Sequence, residues 1–185
     1  MLKIVIAPSP ILSSIAKPVS RVDAAVTRII EEMKKTLIDT TDPKGVGLAA
    51  PQVGKPLRIF IAKPTDNSKI MVFINPEIIE RSSDLDYVRR PKKSNKASKK
   101  LEGCLSLPTI WGPVLRAQSL TLSFLDEKGI KHTKAFKNFM ATIIQHEIDH
   151  LDGVLFSKRV LEQKGILYKS HKNTKGEDEF EKIEV

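Results

Sequence analysis

The HExxH run at residues 146–150 constrains this chain more than any other feature of its sequence. It lies in an apolar stretch that predicts a helix over about residues 137–151, with Gly153 just beyond its end. Because a helix turns about 100° per residue, the two histidines lie about 40° apart on one face and can bind one metal ion. The glutamate projects from the neighbouring face, where it can contact a water beside that ion. The helix is therefore predicted to carry a metal site that can activate water near neutral pH.

The remaining pattern predicts an α+β protein with a single compact domain, which suits a chain of 185 residues. Apolar residues at helical spacing predict an N-terminal helix from Val22 to Leu37, with Ser20 and Asp23 forming a capping box at its start. Strands are predicted, the last two of them paired as a hairpin, at 58–62, 70–75, 77–80, 119–125 and 130–136. We expect antiparallel or mixed sheets packed around the central helix.

The net charge of +9 is concentrated in one segment. Residues 81–100 hold eight basic and two acidic side chains, so they contribute +6 of the total. The segment has almost no apolar content, and about residues 82–100 are predicted to form a solvated basic loop. Because the charge is confined and no aromatic residues interleave with it, a non-catalytic nucleic-acid binder is disfavoured, and we expect no binding to DNA.

Cysteine content and hydropathy indicate the compartment. Cys104 is the single cysteine, so no internal disulfide can form. No apolar run reaches the length of a membrane span, and the apolar stretch before Pro8 is too short for a signal-peptide core. We therefore expect a cytoplasmic protein without membrane association. No transit peptide is visible, which favours a bacterial over an organellar origin.

A catalytic metal site of this kind needs a third protein ligand and one open coordination position. Downstream of the two histidines, Glu162 and His171 could supply the ligand, as in a metallopeptidase, although no motif surrounds either. Upstream, Cys104 could supply a thiolate, which is a strong ligand. A single cysteine is, however, more often a small buried apolar residue. The residues alone leave the third ligand open.

Three segments resemble peptide deformylases. The first, at 45–52, has the family's glycine–apolar–glycine–apolar–Ala-Ala-Pro-Gln run, and the second, at 102–106, reads Glu-Gly-Cys-Leu-Ser. The third, at 145–150, reads Gln-His-Glu-apolar-Asp-His. All three occur in the family's order and at roughly its spacing. The resemblance implies a catalytic domain at 1–165, followed by a polar, acidic C-terminal tail at 166–185.

The resemblance implies the reaction and its metal. The formyl group would be removed from the N-terminal formylmethionine of newly synthesised polypeptides, with release of formate. One divalent ion would be held by Cys104, His146 and His150. Fe²⁺ is the physiological ion implied, and Zn²⁺, Ni²⁺ or Co²⁺ can substitute because such a donor set accepts several metals. A metallopeptidase, the competing interpretation, would leave the first two segments unexplained.

The resemblance also implies catalytic roles for three residues. Glu147 would take a proton from the attacking water and pass it to the leaving amine. Negative charge on the formyl oxygen would be stabilised by the side-chain amide of Gln52 and the backbone N–H of Leu105.

Other residues are implied to bind or support the substrate. Phe139 and Ile143 share a helix face with His146, so they either form an apolar wall beside the metal or only pack the core. With Val46 they resemble the family's methionine pocket, which suits an unbranched thioether. The remaining candidates are glycines that let the peptide backbone approach and a supporting ion pair: Gly45, Gly47, Gly103, Glu102 and Arg116.

Two features depart from the family's usual pattern. Trp111 stands near the position where many bacterial members have arginine, so it either contacts the peptide or simply packs. The stretch 87–100 looks longer and more basic than usual. It is either a solvated loop or a contact to ribosomal RNA, because clustered lysines and arginines bind phosphates.

Overall fold

The computed structural model describes residues 2–89, 100–174, 176 and 178–184 of the chain. In this part of the chain the helices are α1 (Ala24–Asp39), α2 (Asn138–Leu151) and α3 (Phe156–Glu162). The strands are β1 (Gly47–Ala49), β2 (Ile59–Ala62), β3 (Met71–Arg81), β4 (Leu85–Asp86), β5 (Glu102–Cys104), β6 (Leu107–Gly112), β7 (Arg116–Ala117), β8 (Ser119–Leu125), β9 (Lys131–Lys137), β10 (Tyr168–Lys172) and β11 (Asp178–Lys182). None of the described helices is long and apolar enough to cross a bilayer.

The strands form two larger sheets and one small pair. The first sheet has five strands in the order β1-β2-β3-β8-β9, and the second has four in the order β11-β10-β6-β5. Strands β4 and β7 pair separately. Every pairing between these strands is antiparallel. The predicted α+β class is confirmed, and so is the hairpin formed by β8 and β9.

Helix α2 lies at the centre of the fold, as the expected architecture has it. Ten of its 14 residues are buried. Its apolar side packs on the inner face of the five-stranded sheet, in a core that includes Phe60, Phe73, Leu122, Phe124, Ile144 and Ile148. The opposite face of the same sheet is covered by α1 through Val26, Ile30 and Met33. Burial of both faces of the sheet holds α2 in place, which fixes the direction in which its polar residues point.

The start of α1 differs from the prediction. The helix begins at Ala24, and its N-cap is Asp23, whose side chain accepts a hydrogen bond from the Val26 backbone N–H at 2.9 Å. The predicted capping box with Ser20 is wrong, because Asp23 itself has extended backbone and caps the helix. The Asp23 carboxylate accepts a backbone N–H of the first turn, so it caps the helix without a contribution from Ser20.

Strand β3 joins two predicted strands into one. The register with β8 shifts between Ile74 and Glu77, across Pro76, which separates the two predicted strands. Asn75 adopts a left-handed conformation, and its side chain bonds both the N–H and the C=O of Val19 at 2.8 Å. The irregularity therefore anchors the N-terminal segment without interrupting the strand.

Two predicted surface segments have more structure than their composition indicated. Within the predicted basic loop, Leu85 and Asp86 form β4 and pair with β7, whereas residues 90–99 lie outside the described residues. Within 166–185, strands β10 and β11 form a hairpin whose first strand pairs with β6. Only the described residues of this hairpin are considered below, and it is called the C-terminal hairpin.

Candidate active site

The structure brings the two motif histidines together with the cysteine. His146 and His150 project from α2, and Cys104 ends β5 beside them. Their donor atoms all lie within 4.8 Å of one another, and the Cys104 Sγ is 3.1 Å from Nε2 of His150. No other such group of three occurs among the described residues. Glu162 and His171 pair elsewhere, with Arg159 and Glu179 respectively, so the upstream cysteine is the third candidate ligand.

Neighbouring groups orient the two imidazoles. Nδ1 of His146 lies 3.0 Å from a carboxylate oxygen of Glu102, so this nitrogen carries the proton and Nε2 is available as a ligand. Nδ1 of His150 is buried and has no hydrogen-bond partner among the described residues. One thiolate and two imidazole nitrogens at these separations fit a divalent ion that keeps an open fourth position.

The surroundings of Cys104 favour its thiolate. Burial raises the pKa of the thiol, but the electrostatic attraction of His150 and the contacts with both imidazoles outweigh it and hold the pKa well below its ordinary value. The Nε2 amide of Gln52 and the backbone N–H of Ser106 both donate to the sulfur at 3.4 Å. Since a thiolate is the form of cysteine that binds metal, the site is prepared for an ion.

Glu147 lies between the donor group and β1. A Cβ added to Gly47 would overlap its carboxylate, so this position requires glycine. Burial raises the pKa of Glu147 to about 7, although the charges of His146 and His150 oppose the shift. Its Oε2 is buried without a hydrogen-bond partner among the described residues. A carboxylate with such a pKa can take up and release a proton near neutral pH.

A buried ion-pair network stands behind the histidines. The Arg116 guanidinium donates two hydrogen bonds of 2.9 Å to Glu102 and one of 2.6 Å to Asp149. Arg159 bonds the same Asp149 at 2.8 Å from the surface side. Burial alone would raise the pKa of Glu102, but the charge of Arg116 and the contact with His146 lower it to about 2. Glu102 therefore stays ionised and fixes the orientation of His146.

Comparisons with known proteins identify the family. The family model for polypeptide deformylases matches residues 1–165. The chain belongs to the polypeptide deformylase family.

Curated relatives and solved structures agree with this assignment. Peptide deformylases of Mesorhizobium japonicum and Chlorobaculum tepidum are 39% and 42% identical over 156 residues, which cover 83% and 82% of this chain and 80% and 75% of theirs. The crystal structure of the Thermotoga maritima enzyme superposes with a TM-score of 0.74 at 32% identity, covering 86% of this chain and 97% of that one. For the Thermus thermophilus enzyme the TM-score is 0.75 at 34% identity, with 89% and 88% of the two chains covered.

Deformylases are metal-dependent hydrolases that remove the formyl group from N-terminal formylmethionine during translation, and this is the activity of the protein. The predicted family, fold and reaction are thereby confirmed. A cavity of about 200 Å³ opens over the metal donors. Of the residues singled out from the sequence, its wall contains Gly45, Val46, Gly47, Gln52, Glu102, Gly103, Cys104, Leu105, Trp111, Phe139, Ile143, His146 and Glu147. The structure places His150 and Arg116 beyond this wall.

Sequence reasoning missed several residues of the site. Asp149 lies within the third motif, three positions after His146, and that spacing could have indicated a role beside the metal. Arg159 carries no such signal, because its contact depends on how α3 packs against α2. The cavity wall also includes Thr109 and Ile110 of β6, which stand in no recognised pattern.

Proposed function

We propose that this chain hydrolyses the formyl group with Glu147 as proton carrier and with Gln52 and Leu105 as donors to the formyl oxygen. The observation that carries the proposal is the carboxylate of Glu147. It is buried at the base of the cavity, it lies beside the three donor atoms, and one of its oxygens has no partner among the described residues. Burying a carboxylate oxygen without a hydrogen-bond partner costs folding free energy, and such a cost points to a functional role for the group.

The metal would be held by Cys104, His146 and His150. When bound there, a divalent ion supplies Lewis-acid chemistry that polarises the formyl carbonyl and lowers the pKa of water toward neutrality. We assign Fe²⁺ as the physiological ion, with Zn²⁺, Ni²⁺ and Co²⁺ as substitutes that the same donors accept.

Glu147 would act twice in each turnover. Its pKa of about 7 lets the ionised form accept a proton from the attacking water at neutral pH. The same carboxyl group would then return the proton to the amine that leaves as the new N-terminus. One buried side chain thus carries the proton from the water to the amine without exchange with bulk solvent.

Developing charge on the formyl oxygen needs donors held in place. The Oε1 atom of Gln52 accepts the Ala49 backbone N–H at 2.9 Å, which fixes the amide so that Nε2 points toward Cys104 and Ser106. Leu105 lies in the wall of the cavity between those two residues, where its backbone N–H would be the second donor. Donors that are oriented in advance stabilise such charge without reorganisation.

The methionine side chain would enter the apolar part of the cavity. Val46, Phe139 and Ile143 line it, and all three also belong to or pack on the core around α2. Gly47 and Gly103 lie in the cavity wall on β1 and β5, where a missing side chain lets a peptide backbone approach.

The test compares formate release from formyl-Met-Ala-Ser by anaerobically purified wild type and Glu147→Ala. The variant should retain its metal and lose activity by about 10²- to 10⁴-fold. An exposed glutamate, changed as Glu77→Ala, serves as the matched control and should leave the rate as it is. Full activity of Glu147→Ala would overturn the assigned base. Cys104→Ser should lose the metal, whereas a metallopeptidase with a downstream ligand would keep it.

A ribosomal contact is proposed for the basic segment 87–100, and its support is the local charge of the sequence. Phosphate contacts by lysine and arginine weaken steeply with salt. Deletion of residues 88–99 should reduce co-sedimentation with ribosomes at low salt, and unchanged binding would exclude the segment. Because nascent chains are the substrate, we also assign the protein to the cytoplasm.

A further inference from the structure

The C-terminal hairpin is built onto the strand that forms one wall of the cavity. β10 pairs with β6 at Tyr168–Trp111 and Lys169–Ile110. Thr109, Ile110 and Trp111, at the centre of β6, all line the cavity. The part of β6 that faces substrate is thus held between β5, which carries Cys104, and a hairpin from the far end of the described chain.

Contacts with the hairpin fix the Trp111 indole. Its Nε1 donates to Oγ of Ser170 at 3.0 Å, and Phe180 lies edge-to-face against it with ring centroids 5.8 Å apart. On its other side the indole lies over Gly103, where an added Cβ would be 2.8 Å from the ring. Gly103 lies opposite Trp111 and Ser170 lies opposite Phe180, while Ser170 is diagonal to Trp111, two residues from the register partner Tyr168. The hydrogen bond and the ring contact leave the indole little rotational freedom.

The same serine supports the backbone of the wall. Thr109 has φ of 65°, a left-handed conformation that is costly for a β-branched residue. The Ser170 hydroxyl donates to the Thr109 carbonyl at 3.4 Å. The hairpin therefore contacts both ends of the cavity-lining part of β6. Ser170 bonds the backbone carbonyl of Thr109 at one end and the indole of Trp111 at the other.

We propose that the C-terminal hairpin is part of the substrate site: it holds Trp111 against the peptide that follows the formylmethionine, and it makes the enzyme prefer apolar side chains there. The inference rests on the proposed function of the cavity. Leu107 and Ile110 add apolar lining to the same cavity, so a charged side chain there would lose its hydration against apolar groups. Trp111 is the residue that contacts substrate, and Ser170 and Phe180 are positioning residues.

Trp111 is the only tryptophan in the chain, so its fluorescence reports on this wall directly. The metal-loaded Glu147→Gln variant would be titrated with formyl-Met-Leu-Leu, formyl-Met-Ser-Ser, formyl-Met-Lys-Lys and formyl-Met-amide. The leucine peptide should shift the emission to shorter wavelength and bind about threefold to tenfold more tightly than the serine peptide. Formyl-Met-amide should leave the emission unchanged. Equal shifts with all four ligands, or tighter binding of the lysine peptide, would overturn the proposal.

Kinetics then separate positioning from general stability. The quantity measured is kcat/KM for formyl-Met-Leu-Leu divided by that for formyl-Met-amide. Ser170→Ala and Phe180→Ala should each lower this ratio about threefold, through KM for the longer substrate, and Trp111→Ala should lower it further. Glu181→Ala alters the neighbour of Phe180 on the opposite, exposed face of β11 and is the matched control, with an unchanged ratio expected.

Each failure of this test has a distinct meaning. If wild type releases formate from both substrates but Ser170→Ala and Phe180→Ala keep its ratio, the hairpin is only structural and this inference is wrong. If the variants lose activity equally on both substrates, the same conclusion follows. If wild type releases formate from neither substrate, the proposed function of the cavity fails first.

Discussion

The metal end of the cavity and the Trp111 wall are built by different means. At the metal end, charged side chains are buried and paired: Glu102 is 4% exposed and Arg116 5% exposed. At the wall, a half-buried indole is held by one hydroxyl and one phenyl ring from a partly exposed hairpin. Removing one partner of a buried ion pair lowers the free energy of unfolding strongly, whereas removing a half-exposed aromatic contact lowers it little. We therefore expect the proposed catalysis to depend on the buried, charged region and the proposed substrate preference to depend on the more exposed one.

The largest effect should follow from breaking the network at the metal end. Arg116→Ala leaves the buried carboxylates of Glu102 and Asp149 without their shared cation, so it should lower the free energy of unfolding by about 3–5 kcal/mol. Urea denaturation measures it. Arg58→Ala, which removes a more exposed pair with Asp152, is the matched control and should cost no more than about 1 kcal/mol. If the two variants lose similar amounts of unfolding free energy, the network at the metal end is no more important for stability than an exposed ion pair.

A pH dependence should come from Glu147. Its pKa in the folded chain, about 7, lies above the ordinary 4.5, so the folded state binds this proton more tightly than the unfolded state does. This contribution to stability is complete below about pH 4.5 and is lost as the pH rises through 7. In chelator-treated protein, Glu147→Gln should therefore become more stable relative to wild type between about pH 5 and 8, by up to about 3 kcal/mol. Thermal unfolding at several pH values measures this difference. If the stability difference between the two proteins does not change with pH, the proposed cost of ionising the buried carboxyl is wrong.

Gly103→Ala should strain the point where the two regions meet. The added Cβ would lie 2.8 Å from the indole, so the ring must move, at a cost of about 1–3 kcal/mol. Trp111 emission should change as the ring leaves Ser170. In a Trp111→Ala background, Gly103→Ala should cost little unfolding free energy, because the ring that it displaces is gone. If the costs of the two substitutions simply add, the predicted contact is contradicted.

The smallest effect should come from the hairpin itself. Phe180→Ala removes an edge-to-face ring contact that is partly exposed, so it should cost about 1 kcal/mol of unfolding free energy. The loss should leave metal content unchanged, as measured by atomic absorption of the dialysed protein. A loss as large as that of Arg116→Ala would mean that the hairpin is part of the main core.

These differences also explain what the sequence could predict. The candidate ligands and the proposed base stand at short, fixed spacings on one helix turn or in one strand, so the run at 146–150 and the Glu-Gly-Cys segment were enough to predict them. The hairpin on β6, the strained Thr109 and the Arg159 contact depend on packing between segments far apart in sequence, for which no local pattern exists. The polar composition of 166–185 reflects that the hairpin has one face in solvent, and its few aromatic residues were too sparse to indicate strands. The start of α1 was misjudged because two capping residues lay close together and only backbone geometry decides between them.

Strand β5 has one further consequence, which concerns insertions and deletions during evolution. Its three residues alternate between the two sides of the sheet: Glu102 and Cys104 are buried on one side, and Gly103 receives the indole on the other. A shift of the strand by one residue would exchange the two sides, and it would remove the orienting carboxylate, the thiolate and the space for Trp111 in one step. A substitution in this segment can weaken the site partly, but an insertion or deletion would remove all three features together. Lineages that carry this enzyme are therefore expected to vary in length on either side of β5 and never within it.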